Sequence, residues 1–179
     1  NPNQAFTVLR LELRPWLPQS KQPTTTSDLA DDPQQSEISH YQELLRQGGT
    51  QFDQENWEGA KAAMEAAQQL QPETVEPALY LARIALVQNQ TETAHNNLLE
   101  LRDRYPKNDE VALYLGFSYE KQRDFNLAES LYRESLQLNP ENPKSGLRLG
   151  TVLIKKGRYE DAKSFLESVT AKFPGYAVA

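Results

Sequence analysis

The chain has 179 residues, 38% of them hydrophobic, a formal net charge of −6 and a mean hydropathy of −0.72. That suits one modest domain plus an extension, and it lacks the positive excess and interleaved aromatics of a nucleic-acid binder. No cysteine is present, which excludes a disulfide framework, thiolate chemistry and a zinc–sulfur site, and no run of 18 apolar residues offers a helix that spans a membrane.

The first region, 1–36, reads as an N-terminal extension and polar linker. Ala5 to Arg14 alternates, with Thr7, Leu9, Leu11 and Leu13 on one side and Val8, Arg10, Glu12 and Arg14 on the other. That is the pattern of a half-buried strand. Phe6, Leu9, Leu13 and Trp16 also share a helical face, but Pro15 and Pro18 end the segment and favour the extended form. These apolar residues, 5–17, are expected to dock on a hydrophobic surface. Residues 18–36 hold mostly Pro, Ser, Thr, Gln and Asp, with nothing to build a core from. The chain begins at Asn1 rather than Met, the start of a processed product or a fragment, and a signal peptide or anchor ahead of it stays open. The reading leans to a bacterial periplasmic or membrane-associated location over the cytoplasm.

The second region, 37–179, opens at Ser39, which with Gln42 three residues on reads as a capping box. From there the chain repeats every 34 residues without a gap, in segments 41–74, 75–108, 109–142 and 143–176. Pro72, Pro106, Pro140 and Pro174 align, as do Ala60, Ala94, Ala128 and Ala162. Gly48, Ala82, Gly116 and Gly150 align where two helices must approach closely. Met64, Leu98, Tyr132 and Leu166 align one helical turn after the alanines and on the same face. Trp57, Thr91, Phe125 and Tyr159 align just ahead of them.

Each unit holds two stretches of apolar residues at helical spacing. In the third, Leu113, Tyr114 and Phe117 belong to the first stretch and Leu127, Leu131 and Leu138 to the second, with the polar break Gln122-Arg123-Asp124 between. Asn108 ahead of Asp109-Glu110, and Asn142 ahead of Pro143, are start signals, and Glu160 and Asp161 suit the positive end of a helix. The fold class is therefore all-α: helical hairpins that cannot bury their apolar stripes alone and stack into a right-handed solenoid.

This 34-residue pattern resembles the tetratricopeptide repeat over residues 41–176. Two features depart from the family pattern. Leu44, Ala78, Ala112 and Gly146 stand where an early Trp is often found, and Gln47 and Gln51 stand where the third repeat has Leu115 and Tyr119.

Searches for chemistry return no catalytic, cofactor or metal site: His40 and His95 lie far apart, and no phosphate loop, zinc-protease or nucleophile-elbow pattern occurs. The chain is read as no enzyme. Charge divides by segment instead. Repeat 3 carries three positive and seven negative charges, and repeat 4 seven and three, a basic end that is either a solvated face or a dock for an acidic partner segment.

The resemblance implies a concave groove, lined by the first helix of each repeat, that holds a partner's peptide or helix. Projected onto this chain, its positions are Leu45, Leu79, Leu113 and Leu147, then Phe52, Leu86, Phe117 and Ile154. Arg83, Lys121, Lys144, Arg148, Thr151 and Lys155 join them. The leucines either pave an exposed floor or pack between adjacent helices. A subset of the family clamps the carboxylate tail of heat-shock chaperones; Lys144 and Arg148 match that clamp, but Leu79, Arg83 and Tyr114 replace a required Lys and two Asn, so this role is rejected. The expected function is a protein–protein scaffold or adaptor, an assembly component of a larger, bacterial membrane-associated complex. The alternatives are a self-associating subunit and an accessory domain of an enzyme. Leu153, Phe165 and Val169 are expected at an exposed end of repeat 4, to be covered by a partner or a second copy.

Overall fold

The structure, a computed structural model, describes residues 33–176. The expected strand at 5–14 and the docking of 5–17 lie outside them. Four antiparallel pairs follow in chain order: α1 (Pro33–Asp53) with α2 (Trp57–Leu70), α3 (Val75–Val87) with α4 (Thr91–Arg104), α5 (Asp109–Lys121) with α6 (Phe125–Leu138), and α7 (Pro143–Lys155) with α8 (Tyr159–Lys172). A single 3-10 turn, Pro174–Tyr176, follows α8.

The first helix differs from its sequence reading at the start. It begins at Pro33, a residue suited to the first helical position because it has no amide hydrogen to leave unpaired. Ser39 is therefore inside the helix, its hydroxyl donating to the Gln35 carbonyl at 2.8 Å, and the capping box does not form. The starts of α5 and α7 follow their sequence signals, and α8 carries Glu160 and Asp161 in its first turn. Asn108, Asp124 and Asn142 each accept, through the side chain, the backbone N–H three residues on.

Each hairpin turns on one residue in the left-handed region: Glu55, Asn89, Arg123 and Gly157, with φ of 58°, 65°, 66° and 75°. They are 34 residues apart. The next residue's N–H then reaches back five positions, as from Asp124 to the Tyr119 carbonyl at 2.9 Å and from Arg158 to the Leu153 carbonyl at 2.9 Å. Such closures satisfy carbonyls at the end of the first helix and fix the angle at which the second leaves.

Within a hairpin the helices touch through one small and one bulky residue. A Cβ on Gly48 would stand 2.5 Å from Met64 Cε, one on Gly116 2.8 Å from the Tyr132 ring, and one on Gly150 would collide with Leu166 Cδ2. Asp109 at the start of α5 accepts from the side chains of Asn139, which caps the end of α6, and Asn142, which caps the start of α7, at 3.0 and 2.9 Å, and between hairpins Arg102 pairs with Glu134 at 2.6 Å. Because α3 touches α5 and α5 touches α7, the first helices form one inner row.

Three expectations are corrected by the packing. Leu127 and Leu138, read as members of the buried stripe, are exposed, while Leu131 packs against the core. At the far end, Leu153 joins the core of Leu113, Tyr132, Leu149 and Val152. Val169 is also buried, lying where a Cβ on Gly146 would stand 3.0 Å away. Only Phe165 of that trio is half-buried, so the end of repeat 4 is less bare than its sequence suggests.

Candidate functional site

A cavity of about 530 Å³ opens on the inner row between α3, α5 and α7. Nine of the residues assigned to the groove from sequence line it: Phe52, Arg83, Leu86, Leu113, Phe117 and, from α7, Lys144, Leu147, Arg148 and Thr151. Val87 and Tyr114 complete the wall and were not among them. Five assigned residues lie elsewhere. Leu79 is buried in the core at 3% exposure, Leu45 is half-buried off the cavity, Ile154 is exposed beyond its rim, and Lys121 and Lys155 are engaged as described below. Leu113, at 2% exposure, shows the cavity only an edge. The alternative of leucines packed between helices is therefore the correct one for Leu79 and Leu113.

What the cavity presents instead is an aromatic and arginine surface. The Arg83 guanidinium lies over three rings, Tyr80 at 4.3 Å, Phe52 at 4.5 Å and Tyr114 at 5.0 Å. Phe52 and Tyr80 meet edge to face at 5.6 Å, which holds the stack in one arrangement. Arg148 covers Phe117 at 4.0 Å. Burial raises the Tyr114 hydroxyl above its ordinary range although Arg83 pulls it down, so Tyr114 stays a neutral donor. Stacking leaves a guanidinium's in-plane N–H groups available. Arg83 makes no hydrogen bond or ion pair among the described residues, and neither does Lys144.

The remaining cations of the inner row are already engaged. Lys121 donates to Asn89 Oδ1 at 3.0 Å. Lys155 pairs with Glu120 at 2.6 Å, and Arg148 approaches the same carboxylate at 3.7 Å. The Glu120 side chain is 4% exposed and also accepts the Tyr132 hydroxyl at 2.7 Å. Sequence reasoning passed over Glu120. The signal was present: 34-residue register aligns it with Phe52, Leu86 and Ile154, so it is a carboxylate in an otherwise apolar column.

The outer row carries a second buried carboxylate with a structural role. Glu129 of α6 is 7% exposed and gathers Lys156 at 2.5 Å, Arg158 at 2.8 Å and Arg133. Burial pushes its carboxyl up, but the hydrogen bonds from Lys156 and Arg133 overcome that and hold it at about 2. An unfolded Glu titrates near about 4.3. The stabilisation is thus complete above that value and is lost as pH falls toward 2. Glu129→Gln is expected to melt lower than wild type at pH 7 and to converge with it by pH 2, read by circular dichroism across that range.

Tetratricopeptide repeat models match residues 119–179 and the overlapping stretches 45–94 and 79–143. No curated protein matches the chain. Among solved structures, a thermophilic TPR protein of Thermus thermophilus is similar at 22% identity and a TM-score of 0.67, over 73% of each chain. MamA from Desulfovibrio magneticus RS-1 is similar at 16% identity and a TM-score of 0.61, over 77% of this chain and 78% of its own. The Arabidopsis OM64 TPR domain is similar at 16% identity and a TM-score of 0.58, over 65% of this chain and 96% of its own. At these identities the likeness concerns the fold alone.

Proposed function

We propose that this chain, which belongs to the tetratricopeptide repeat family, is a non-enzymatic protein-interaction scaffold whose inner-row cavity takes a partner segment carrying an acidic side chain beside an apolar one. Family membership supports protein partners in general. The observation that carries the finer reading is Arg83: a guanidinium fixed by three aromatic rings, beside a cavity, with no anion of its own among the described residues. Charge-assisted pairs with a carboxylate are the natural use of such a group, and the exposed Val87 and half-buried Phe117 offer contact area to an apolar neighbour. A role as an assembly component of a larger bacterial complex is the biological setting we favour, since a segment-binding cavity on a rigid repeat array joins chains rather than transforming them.

The test is fluorescence anisotropy with a synthetic peptide carrying a single Asp beside one Phe in an otherwise neutral sequence. Arg83→Ala is expected to weaken binding about 10- to 100-fold, the equivalent of one lost charge-assisted hydrogen bond or two, with helicity unchanged. Equal affinity of wild type and variant would remove the cavity from the account.

A further inference from the structure

Glu120 is the charged member of an apolar column, and its surroundings give it a use that packing alone does not require. The equivalent positions Phe52, Leu86 and Ile154 show that the repeat can be built with an apolar residue there. A carboxylate in that place must be compensated, because a buried charge without partners is costly. Its compensation comes from three neighbours: Tyr132 donates at 2.7 Å, Lys155 donates at 2.6 Å, and the Arg148 guanidinium stands 3.7 Å away as an ion-pair partner. Arg148 lines the cavity itself, and both cations keep about 42% of their side chains exposed. The basic end of the inner row is thereby neutralised from within, while Arg83 and Lys144 are not.

We propose that Glu120 is a specificity-determining residue, a built-in counter-anion that occupies Lys155 and Arg148 and confines acceptance of a partner's acidic group to Arg83 and Lys144. This inference rests on the acidic-segment reading above. A second carboxylate approaching Arg148 would meet repulsion from Glu120 across a few ångströms, so a segment with one acidic group opposite Arg83 is accepted and a longer acidic run is disfavoured. Glu120→Gln keeps the shape and an oxygen to accept the Tyr132 hydroxyl, yet frees two cations.

The experiment compares full-length wild type and Glu120→Gln against three peptides: one carrying a single Asp beside Phe, one carrying a run of Asp beside Phe, and an all-Asn counterpart of the second. Glu120→Gln is expected to bind the acidic run at least fivefold more tightly at low salt, with that gain shrinking as salt rises. The single-Asp and all-Asn peptides should change by less than twofold. An unchanged or weakened affinity for the acidic run would overturn the role of Glu120 while leaving the groove reading standing. Equal gains for all three peptides would overturn it too, as a mere change of packing. If wild type binds none of them and Glu120→Gln binds the acidic run, Glu120 is upheld as the counter-anion and the acidic-segment reading of the wild-type groove fails. Binding by neither protein overturns both.

Discussion

Replacing Leu113 with Glu is expected to cost the fold about 4 kcal/mol or more, since it sets an unpaired carboxylate in a packed core. Leu113 stands among Ala128, Tyr132, Leu149, Val152 and Leu153, and its 2% exposure gives a charge little route to water. The loss should appear as a melting transition lowered by many degrees or absent, with binding lost as a consequence. Thr151→Glu is the control. Thr151 lines the same cavity from an exposed position on α7, so its variant should melt like wild type while repelling an acidic peptide. Equal melting of Leu113→Glu and wild type would mean that Leu113 faces the groove after all.

Gly116→Val is expected to destabilise by about 3 kcal/mol through overpacking. A Cβ there would meet the Tyr132 ring at 2.8 and 3.0 Å and Leu131 Cβ at 3.2 Å. The ring cannot retreat freely, because it is fully buried and its hydroxyl is tied to Glu120 at 2.7 Å. The second repeat shows how the same fold admits a methyl: Ala82 stands at this register opposite the smaller Leu98, both fully buried. Gly116→Ala should therefore be milder, and its cost should fall when Tyr132 is also replaced by Leu. A double-mutant cycle by chemical denaturation reads that coupling directly. Additive costs would place the two residues out of contact.

The hairpins were legible because their punctuation is local. Asn108 and Asn142 announce helix starts by side-chain chemistry, and the small–bulky pairs repeat at 34 residues. The start of α1 was not legible in that way, since Pro33 outcompetes Ser39 as a beginning. For the cavity, periodicity identified the inner helices but not the faces. An inner helix is buried against its own partner and against the next repeat, so Leu79 and Leu113 repeat as faithfully as any groove residue while lying in the core. Glu120 was hidden for a different reason: Phe117 reads as the third member of the column Phe52, Leu86 and Ile154, although it sits one turn earlier on α5. Strict register would have put a carboxylate there and raised the question of what neutralises it. The stacking of Arg83 on Tyr114 joins adjacent repeats, and no pattern within a single repeat predicts it.

The most direct measurement is a ¹⁵N–¹H titration of the full chain with the single-Asp peptide, followed residue by residue. Shifts are expected to concentrate on the inner row around Arg83, Phe117, Arg148 and Thr151, with the Arg83 side-chain N–H among the largest. Shifts gathered on α4, α6 and α8, or none at millimolar peptide, would contradict a partner site in this cavity.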